Sequence, residues 1–246
     1  MTLEQAIDAR RSRRKYLGTP LDQTVVSKLQ ELIETYNKPG SFRMVLVTGD
    51  GKGFNGFTKS YGMLSGVNDY IGLVADKRDE TAVEQLGYYG ELIMLHAVAL
   101  GLGTCWVGGS FRRSDMPFVL TETEQLACTI TIGNVDEADS ARERLIQKIT
   151  HRKTKQLADM YTTDVPIPDW FLRGMQAVQK APSAMHKQPV LFTYQDNVVR
   201  ASIEKPRDGL YGAMIPLDLG IAKLHFELGA GGGIWAWGND GVFGLE

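Results

Sequence analysis

The chain has 246 residues, with 27 Lys and Arg against 29 Asp and Glu, and a formal net charge of −2. Hydrophobic residues make up 43% of it and charged residues 23%, so it can bury a sizeable core and does not have a disordered composition. Its near-neutral charge excludes a protein drawn as a whole to nucleic acid or membrane surfaces, and any basic site must be local.

The two cysteines, Cys105 and Cys128, stand in apolar stretches without CxxC spacing, a pattern typical of reduced core thiols. No run of 18 apolar residues is present, and the residues after Met1 lack the apolar stretch of a secretory leader. We therefore expect a cytoplasmic protein that binds neither membranes nor nucleic acid.

The first 133 residues predict alternating helices and strands. Thr2-x-x-Gln5 reads as a capping box that opens a helix over residues 3–11, and TVVSKLQELIETY keeps helical spacing. Strands are expected over 42–48 and 70–75, and a long helix over 80–101 that ends at Gly101 and Gly103. TCWVG and LACTITIG then read as buried strands.

After Gly133 the chain becomes highly charged, which marks a boundary between a first half, 1–150, and a shorter second half, 151–246. In the second half we expect a helix over PDWFLRGMQAVQK, a hairpin about residues 195–197, a helix over IPLDLGIAKLHFELG and a strand over GIWAWG. The alternation of helices and strands in both halves indicates an α/β or α+β class.

The two halves also share residues at a constant spacing. Five positions recur 129 residues later, where ordinary composition would give about one match. The pairs are Leu95 and Leu224, His96 and His225, Gly103 and Gly232, Trp106 and Trp235, and Gly109 and Gly238. Two copies at so long a period predict a fused dimer, two subunit-like halves about a pseudo-two-fold axis, which we expect to be a monomer.

Several common chemistries lack candidates. GKGFNG matches a dinucleotide fingerprint, but no helix pattern follows it, so a flexible loop is the better interpretation. The four histidines have no paired-ligand spacing, and we predict no metal site. No GxSxG elbow is present, so nucleophilic catalysis has no candidate.

A basic cluster, Arg10-Arg11-Ser12-Arg13-Arg14-Lys15, follows the first predicted helix. A solvated basic patch or a localisation signal is one interpretation. The other is an anion pocket, because guanidinium groups bind phosphate through paired hydrogen bonds and stay charged at every pH. A phosphate-bearing ligand is the more specific hypothesis.

A second unusual segment, Ala181-Pro182-Ser183-Ala184-Met185-His186-Lys187-Gln188-Pro189, connects a helix to a buried strand. It can be an ordinary turn. It is also small at Ser183 and Ala184 and polar at Ser183, His186 and Gln188, which would let a flat polar ligand approach the backbone closely.

Together, RRSRRKY, APSAMHKQPV and GLGTCWVGG resemble the flavin-dependent nitroreductase family over nearly the whole chain. The chain is most similar to the fused, pseudo-dimeric subgroup known as putative TM nitroreductases. The resemblance implies an α+β fold, a three-layer α/β/α sandwich, duplicated so that one chain mimics the family homodimer.

The resemblance also implies FMN as the cofactor and a set of residues to hold it. The phosphate, ribityl chain and pyrimidine edge would be bound by Arg10, Arg11, Ser12 and Arg14. The other side would be lined by Pro182, Ser183, Ala184, Met185, His186 and Gln188, and the ring would pass near Trp106, Val107, Gly108 and Gly109. Arg152 stands where the family places a further basic residue at the phosphate.

The chain departs from the family pattern in an informative way. The Pro-Ser motif of the first half is reduced to YNKPGSFRM, and the second half has no RRSxR of its own. His186 replaces the usual Asn and Val190 the usual Trp. We therefore expect one complete FMN site, built from the Arg cluster of one half and the Pro-Ser motif of the other, and one degenerate site.

The predicted function is that of an FMN-dependent oxidoreductase which takes hydride from NAD(P)H and reduces small electron-poor acceptors such as nitroaromatics or quinones. Flavin N5 would carry the chemistry, so no catalytic side chain is expected, and a ping-pong order follows from the shared flavin face. Two alternatives are a flavin-binding or redox-sensing protein with little turnover, and a remnant that binds no flavin.

Overall fold

The computed structural model describes residues 1–56, 60, 62–138, 143–145, 153–203 and 210–245. In chain order, the first elements are α1 (Leu3–Ala9), α2 (Gln23–Tyr36), β1 (Phe42–Val47), β2 (Asp69–Asp76), α3 (Ala82–Ala99), β3 (Gly103–Val107) and β4 (Glu124–Gly133). They are followed by β5 (Tyr161–Thr163), α4 (Asp169–Lys180), β6 (Val190–Gln195), β7 (Val198–Ile203), α5 (Leu210–Ala230), β8 (Ile234–Trp235) and β9 (Gly241–Gly244).

The chain divides into two compact units. The first comprises Met1–Asp79 and Ile93–His151, and the second comprises Glu80–Leu92 and Arg152–Glu246. The first turns of α3 therefore belong to the second unit, although the sequence prediction places them in the first half.

The sheet of the first unit has the strand order β1-β2-β4-β3, and each neighbouring pair is antiparallel. Its β2 strand is buried along its whole length, which explains the nearly continuous apolar run over residues 70–75. A core of aromatic and aliphatic side chains packs on this sheet, with Phe54 and Tyr70 in an edge-to-face contact at its centre. The edge strand β3 is the element that positions the basic cluster.

The sheet of the second unit has the order β5-β6-β7-β9-β8. The β6 and β7 strands form the predicted hairpin, and its two-residue turn, Asp196 and Asn197, lies in the left-handed region at φ 52° and 61°. Asp and Asn tolerate this conformation and match the twist of a tight hairpin. An aromatic core that includes Phe171 and Phe226 fills the space between this sheet and helices α4 and α5.

The predicted internal duplication is confirmed by the topology. The order β1-β2-β4-β3 in the first unit is repeated as β6-β7-β9-β8 in the second, with the same antiparallel pairings. A helix precedes each hairpin-like pair, and a long helix, α3 or α5, connects the second strand to the edge strand. The predicted α+β class and the internal duplication are thus both present.

Helix α5 packs closely on the first turns of α3 within the second unit. A Cβ placed at Gly220 would lie 1.9 Å from the carbonyl oxygen of Glu84, and one at Gly87 would lie 2.1 Å from that of Leu217. The buried Lys223 ammonium pairs with Glu84 at the same contact and donates to the carbonyl of Ala236 at 2.9 Å. Burial lowers the pKa of Lys223, and the Glu84 carboxylate opposes that effect.

His225 also lies in this contact, with no exposed surface. Its Nδ1 is 3.1 Å from the carbonyl oxygen of Ala177, and its Nε2 is 3.0 Å from a carboxylate oxygen of Glu91. Both ring nitrogens are therefore satisfied inside the protein, as expected for a core histidine rather than a ligand.

The structure corrects some element boundaries. Helix α1 keeps the predicted capping box but ends at Ala9, and Arg10 is already extended. The strand expected over GIWAWG is reduced to the two residues of β8, while β5 and β9 had no prediction. Short strands rich in glycine, or of three residues, carry too little periodicity to be recognised from sequence.

Candidate functional site

The basic cluster runs beside β3 and is joined to it by an isolated bridge. Ser12 and Thr104 form a parallel bridge, and the N–H of Arg13 donates to the carbonyl of Thr104 at 2.8 Å. On the far side, the N–H of Ser65 donates to the carbonyl of Arg14 at 3.0 Å. The cluster is thus held by backbone hydrogen bonds on both edges, which leaves its side chains to alternate between two faces.

One residue of the cluster, Arg13, turns into the protein. The buried Arg13 places its Nε 3.3 Å from Oε1 of Glu143, whose side chain is also buried. The same oxygen accepts from the N–H groups of Arg14 and Lys15 at 2.8 and 3.0 Å. Arg13, the variable position of the RRSxR pattern, therefore has a structural role here.

Three of the residues predicted to bind a phosphate act on a single thiol. Burial raises the pKa of the Cys105 thiol, and the positive charges of Arg14 and Arg10 together with a hydrogen bond from Ser12 oppose that rise. These three side chains therefore lie in the neighbourhood of Cys105, at the edge of β3. Arg11 lies apart from them, exposed, and donates to the carbonyl of Glu137 at 2.8 Å.

The predicted glycine segment continues β3 to its end. Trp106 is half-buried and Val107 is buried, and the carbonyl of Val107 accepts from the hydroxyl of Thr129 at 3.0 Å. Gly108 is half-buried and Gly109 exposed, so the backbone emerges to the surface there. Earlier in the same strand, the buried hydroxyl oxygen of Thr104 has no hydrogen-bond partner among the described residues.

The Pro-Ser segment, defined here as Pro182–Gln188, follows α4 in the second unit. Three of its non-glycine residues adopt left-handed backbone conformations: Met185 at φ 54°, His186 at 52° and Gln188 at 47°. Such conformations cost free energy and persist only where surrounding contacts fix them. The observed strain marks the segment as a candidate functional loop.

Hydrogen bonds within the segment, and others to nearby parts of the same chain, fix its conformation. The N–H of Gln188 donates to the hydroxyl of Ser183 at 2.9 Å, and His186 Nε2 lies 3.2 Å from the hydroxyl of Thr154. The buried Gln188 side chain accepts from the N–H of Lys155 at 2.9 Å and donates to the carbonyl of Gln179 at 3.0 Å. Gln188 thus supports the segment, while Met185 is 60% exposed at its tip.

Sequence reasoning missed one residue of this site, Asp218 on α5. Its Oδ1 accepts from the N–H of Ala184 at 2.9 Å, and the side chain is buried. Burial raises the pKa of the Asp218 carboxyl to about 7, an effect that the hydrogen bond from Ala184 opposes. In the sequence, the sign that could have pointed to Asp218 is its place as a single acidic residue within the apolar run IPLDLGIA.

The described ranges contain no group of three or more His, Cys, Asp and Glu side chains arranged to hold a metal ion. Within the same ranges, no helix has the length and apolarity needed to cross a membrane. Both cysteines are buried free thiols. Arg152, the further basic residue predicted at the phosphate, lies outside the described residues.

The duplicated α+β topology places the molecule among proteins of the nitroreductase fold. The crystal structure of a putative nitroreductase from Thermotoga maritima MSB8 matches 99% of this chain and 92% of its own, with a TM-score of 0.64 and 20% identity. A putative nitroreductase from Desulfovibrio desulfuricans, solved in complex with FMN, matches 68% of this chain and 99% of its own, with a TM-score of 0.51 and 19% identity.

The family itself is identified by sequence. The family model described as "Putative TM nitroreductase" matches residues 2–230, and the chain belongs to this family. Among curated proteins, no sequence matches the chain. The predicted membership is therefore confirmed, and the family supports a flavin oxidoreductase in general terms.

Proposed function

We propose that this protein is an FMN-dependent NAD(P)H oxidoreductase that reduces small electron-poor acceptors such as nitroaromatics or quinones. The observation that carries the proposal is the convergence of Arg10, Ser12 and Arg14 at the edge of β3, in the unit that also holds the glycine segment. The FMN complex of the Desulfovibrio relative supports the same cofactor.

The residues present fit a phosphorylated flavin. Two guanidinium groups and a hydroxyl at one point form a donor set suited to a phosphate or to the acceptor-rich edge of a pyrimidine. The buried Thr104 hydroxyl oxygen has no partner among the described residues, and the backbone of Thr104 bridges that of Ser12. An additional polar ligand atom there would satisfy a group that otherwise costs free energy.

The roles of the remaining residues are part of the proposal. Bound FMN would accept a hydride from NAD(P)H and pass it to the second substrate. Arg10 and Arg14 would offset the negative charge of the reduced ring, and Arg11 and Arg152 would add to the phosphate site. Further flavin contacts are assigned to Trp106, Val107, Gly108, Gly109, Pro182, Ser183, Ala184, Met185, His186 and Gln188.

The first test is cofactor retention. Purified protein is mixed with FMN, desalted and examined by absorption, alongside Arg10→Ala, Arg14→Ala and the control Lys28→Ala, which alters an exposed cation of α2. We expect one flavin per wild-type chain, retention by the control, and loss of affinity of at least about tenfold in each Arg variant, because a charged hydrogen-bond donor is removed.

The outcomes separate the alternatives. Full flavin in Arg10→Ala and Arg14→Ala would contradict the phosphate assignment, and two flavins per chain would contradict the degenerate second site. Retained flavin without NAD(P)H oxidation in the presence of a nitro or quinone acceptor would favour the redox-sensing protein. A wild-type chain that retains no flavin would favour the remnant that acts without one.

A further inference from the structure

A small, partly open pocket lies beside the Pro-Ser segment, lined in part by Pro182, Ser183 and Gln188. Its volume is about 10 Å³, the space of about one water molecule. Asp218 forms part of its wall and is 4% exposed. While Oδ1 of Asp218 holds the N–H of Ala184, Oδ2 has no hydrogen-bond partner among the described residues. A carboxyl oxygen is therefore buried in an uncharged space at the base of the segment.

The hydrogen bond between Asp218 and Ala184 is the tether by which α5 holds the segment. The other external bonds of the segment run to Thr154, Lys155 and Gln179, whereas Asp218 anchors it to a long helix. The anchored residue, Ala184, immediately precedes the left-handed pair Met185 and His186. Because those conformations are intrinsically unfavourable, their population depends on such external contacts.

The strength of this tether depends on the charge of the carboxyl group. A carboxylate accepts a hydrogen bond roughly twice as strong as a neutral oxygen does. Burial raises the pKa of Asp218 to about 7, so both forms are populated near neutral pH. None of the other residues that line the pocket has a side chain that titrates in that range. They are Met160, Val178, Ala181, Pro182, Ser183, Gln188, Pro189, Val190 and Ala222. The titratable neighbours along the chain, His186, Lys187 and Lys223, are not part of this lining.

We propose that Asp218 is a positioning residue that holds the Pro-Ser segment in its flavin-binding conformation most firmly when its carboxyl group is ionised, so that proton uptake by Asp218 lowers flavin affinity. This inference rests on the proposed function. It adds a proton-linked control of the same segment, exerted from α5 through the backbone of Ala184.

The test compares wild type with Asp218→Asn, which keeps the shape of the protonated acid but cannot ionise. The control is Asp164→Asn, at an exposed position of the same unit. Dissociation constants for FMN and for riboflavin are measured by fluorescence quenching at about pH 8.5 and about pH 5.5, on either side of the carboxyl's titration. Riboflavin lacks the phosphate, whose own titration would otherwise contribute.

For wild type and Asp164→Asn, both flavins should bind about five- to tenfold more weakly at the lower pH. Asp218→Asn should bind riboflavin equally at both values, with the affinity of acidic wild type. A pH dependence for riboflavin that persists unchanged in Asp218→Asn would overturn the inference, while a wild type that binds no flavin at about pH 8.5 would overturn the proposed function instead.

A second readout needs no cofactor. In the flavin-free protein, the protection of the Ala184 amide against hydrogen exchange should be greater at the higher pH in wild type and insensitive to pH in Asp218→Asn. Equal protection at both values in wild type would contradict the tether. If Asp218→Asn does not fold, Asp218→Ser supplies another uncharged side chain for both measurements.

Discussion

At the scale of single residues, the basic cluster is divided by the alternation of an extended chain. Arg13 turns inward to Glu143, whereas Arg10, Ser12 and Arg14 converge beside Cys105. Buried charges are retained where a partner of opposite charge and further hydrogen bonds satisfy them, and Glu143 meets both conditions. Adjacent arginines of one cluster thus have different roles, one structural and two suited to bind an anion.

Asp218 gives a pH-dependent prediction about stability. Its pKa of about 7 in the folded protein lies above the ordinary value of 3.8. At pH values between these two, the folded state therefore holds a proton that the unfolded chain has lost. The resulting stabilisation is complete below the ordinary value and declines as the pH rises to about 7, by up to about 4 kcal/mol. Asp218→Asn should therefore gain stability relative to wild type over this interval.

Denaturant unfolding of wild type, Asp218→Asn and Asp164→Asn at several pH values measures this difference. The free energy of unfolding of Asp218→Asn minus that of wild type should rise between about pH 4 and about pH 7 and then level off. For the exposed Asp164, the corresponding difference should stay flat. A flat difference for Asp218 as well would show that its carboxyl group does not titrate in the neutral range.

At the scale of elements, two glycines set the distance between α5 and the first turns of α3. Gly220 and Gly87 each face a backbone carbonyl of the other helix, so neither position has room for a side chain. This close approach lets Lys223 reach Glu84 and the carbonyl of Ala236 while remaining buried. The glycines lower intrinsic helix propensity, and the helix pairing they permit compensates for it.

Gly220→Ala tests this helix contact. Alanine is the better helix former by about 1 kcal/mol, so an isolated helix would gain from the change. In this protein the new Cβ would lie 1.9 Å from the carbonyl oxygen of Glu84, and the helices must separate. We expect a loss of at least about 3 kcal/mol in the free energy of unfolding.

The matched control is Gly244→Ala in β9, where the nearest atom to an added Cβ is 4.0 Å away. This variant should unfold within about 0.5 kcal/mol of wild type. Urea unfolding followed by far-UV circular dichroism measures both. Stability of Gly220→Ala equal to that of the control would mean that the close contact between α3 and α5 is absent in solution.

At the scale of the whole molecule, the repeated strand order shows that one chain contains two copies of the same four-stranded sheet topology. A symmetric dimer buries the same surface on both subunits, and a chain with both copies no longer needs a second chain for that purpose. The Thermotoga structure matches 99% of this chain, whereas the Desulfovibrio protein, matched over 99% of its own length, accounts for 68% of this chain, which accords with such a fusion.

We therefore predict a monomer. Size-exclusion chromatography with light scattering should give a mass near 27.2 kDa over a wide range of concentrations. A mass of about twice that value at all concentrations would argue that a second chain is still required. Measuring flavin content on the same fractions relates the oligomeric state directly to the number of cofactor sites.

Most elements could be predicted because their local signals are strong. The capping box of Thr2 and Gln5, the Asp196-Asn197 turn and the 3.6-residue period of α2 each act over a few residues. The end of α1 was predicted less accurately, since Arg10 was expected in the helix and is extended. The chain after α1 pairs with β3, about ninety residues away, and a local signal does not report such a contact. The errors at β8 and β9 have a different cause, since these short, glycine-rich strands carry too little periodicity to be recognised.

The family, the α+β class, the internal duplication and the residue types of the candidate site followed from the sequence, since motifs, repeats and hydrophobic periodicity can be read along the chain. The order of the strands came from the structure. The tertiary structure alone decided which arginine is internal, because Glu143 is 130 positions from Arg13. It alone also revealed Asp218 beneath Ala184. The state of a carboxyl group depends on burial and on partners distant in sequence, and neither can be read from its neighbours along the chain.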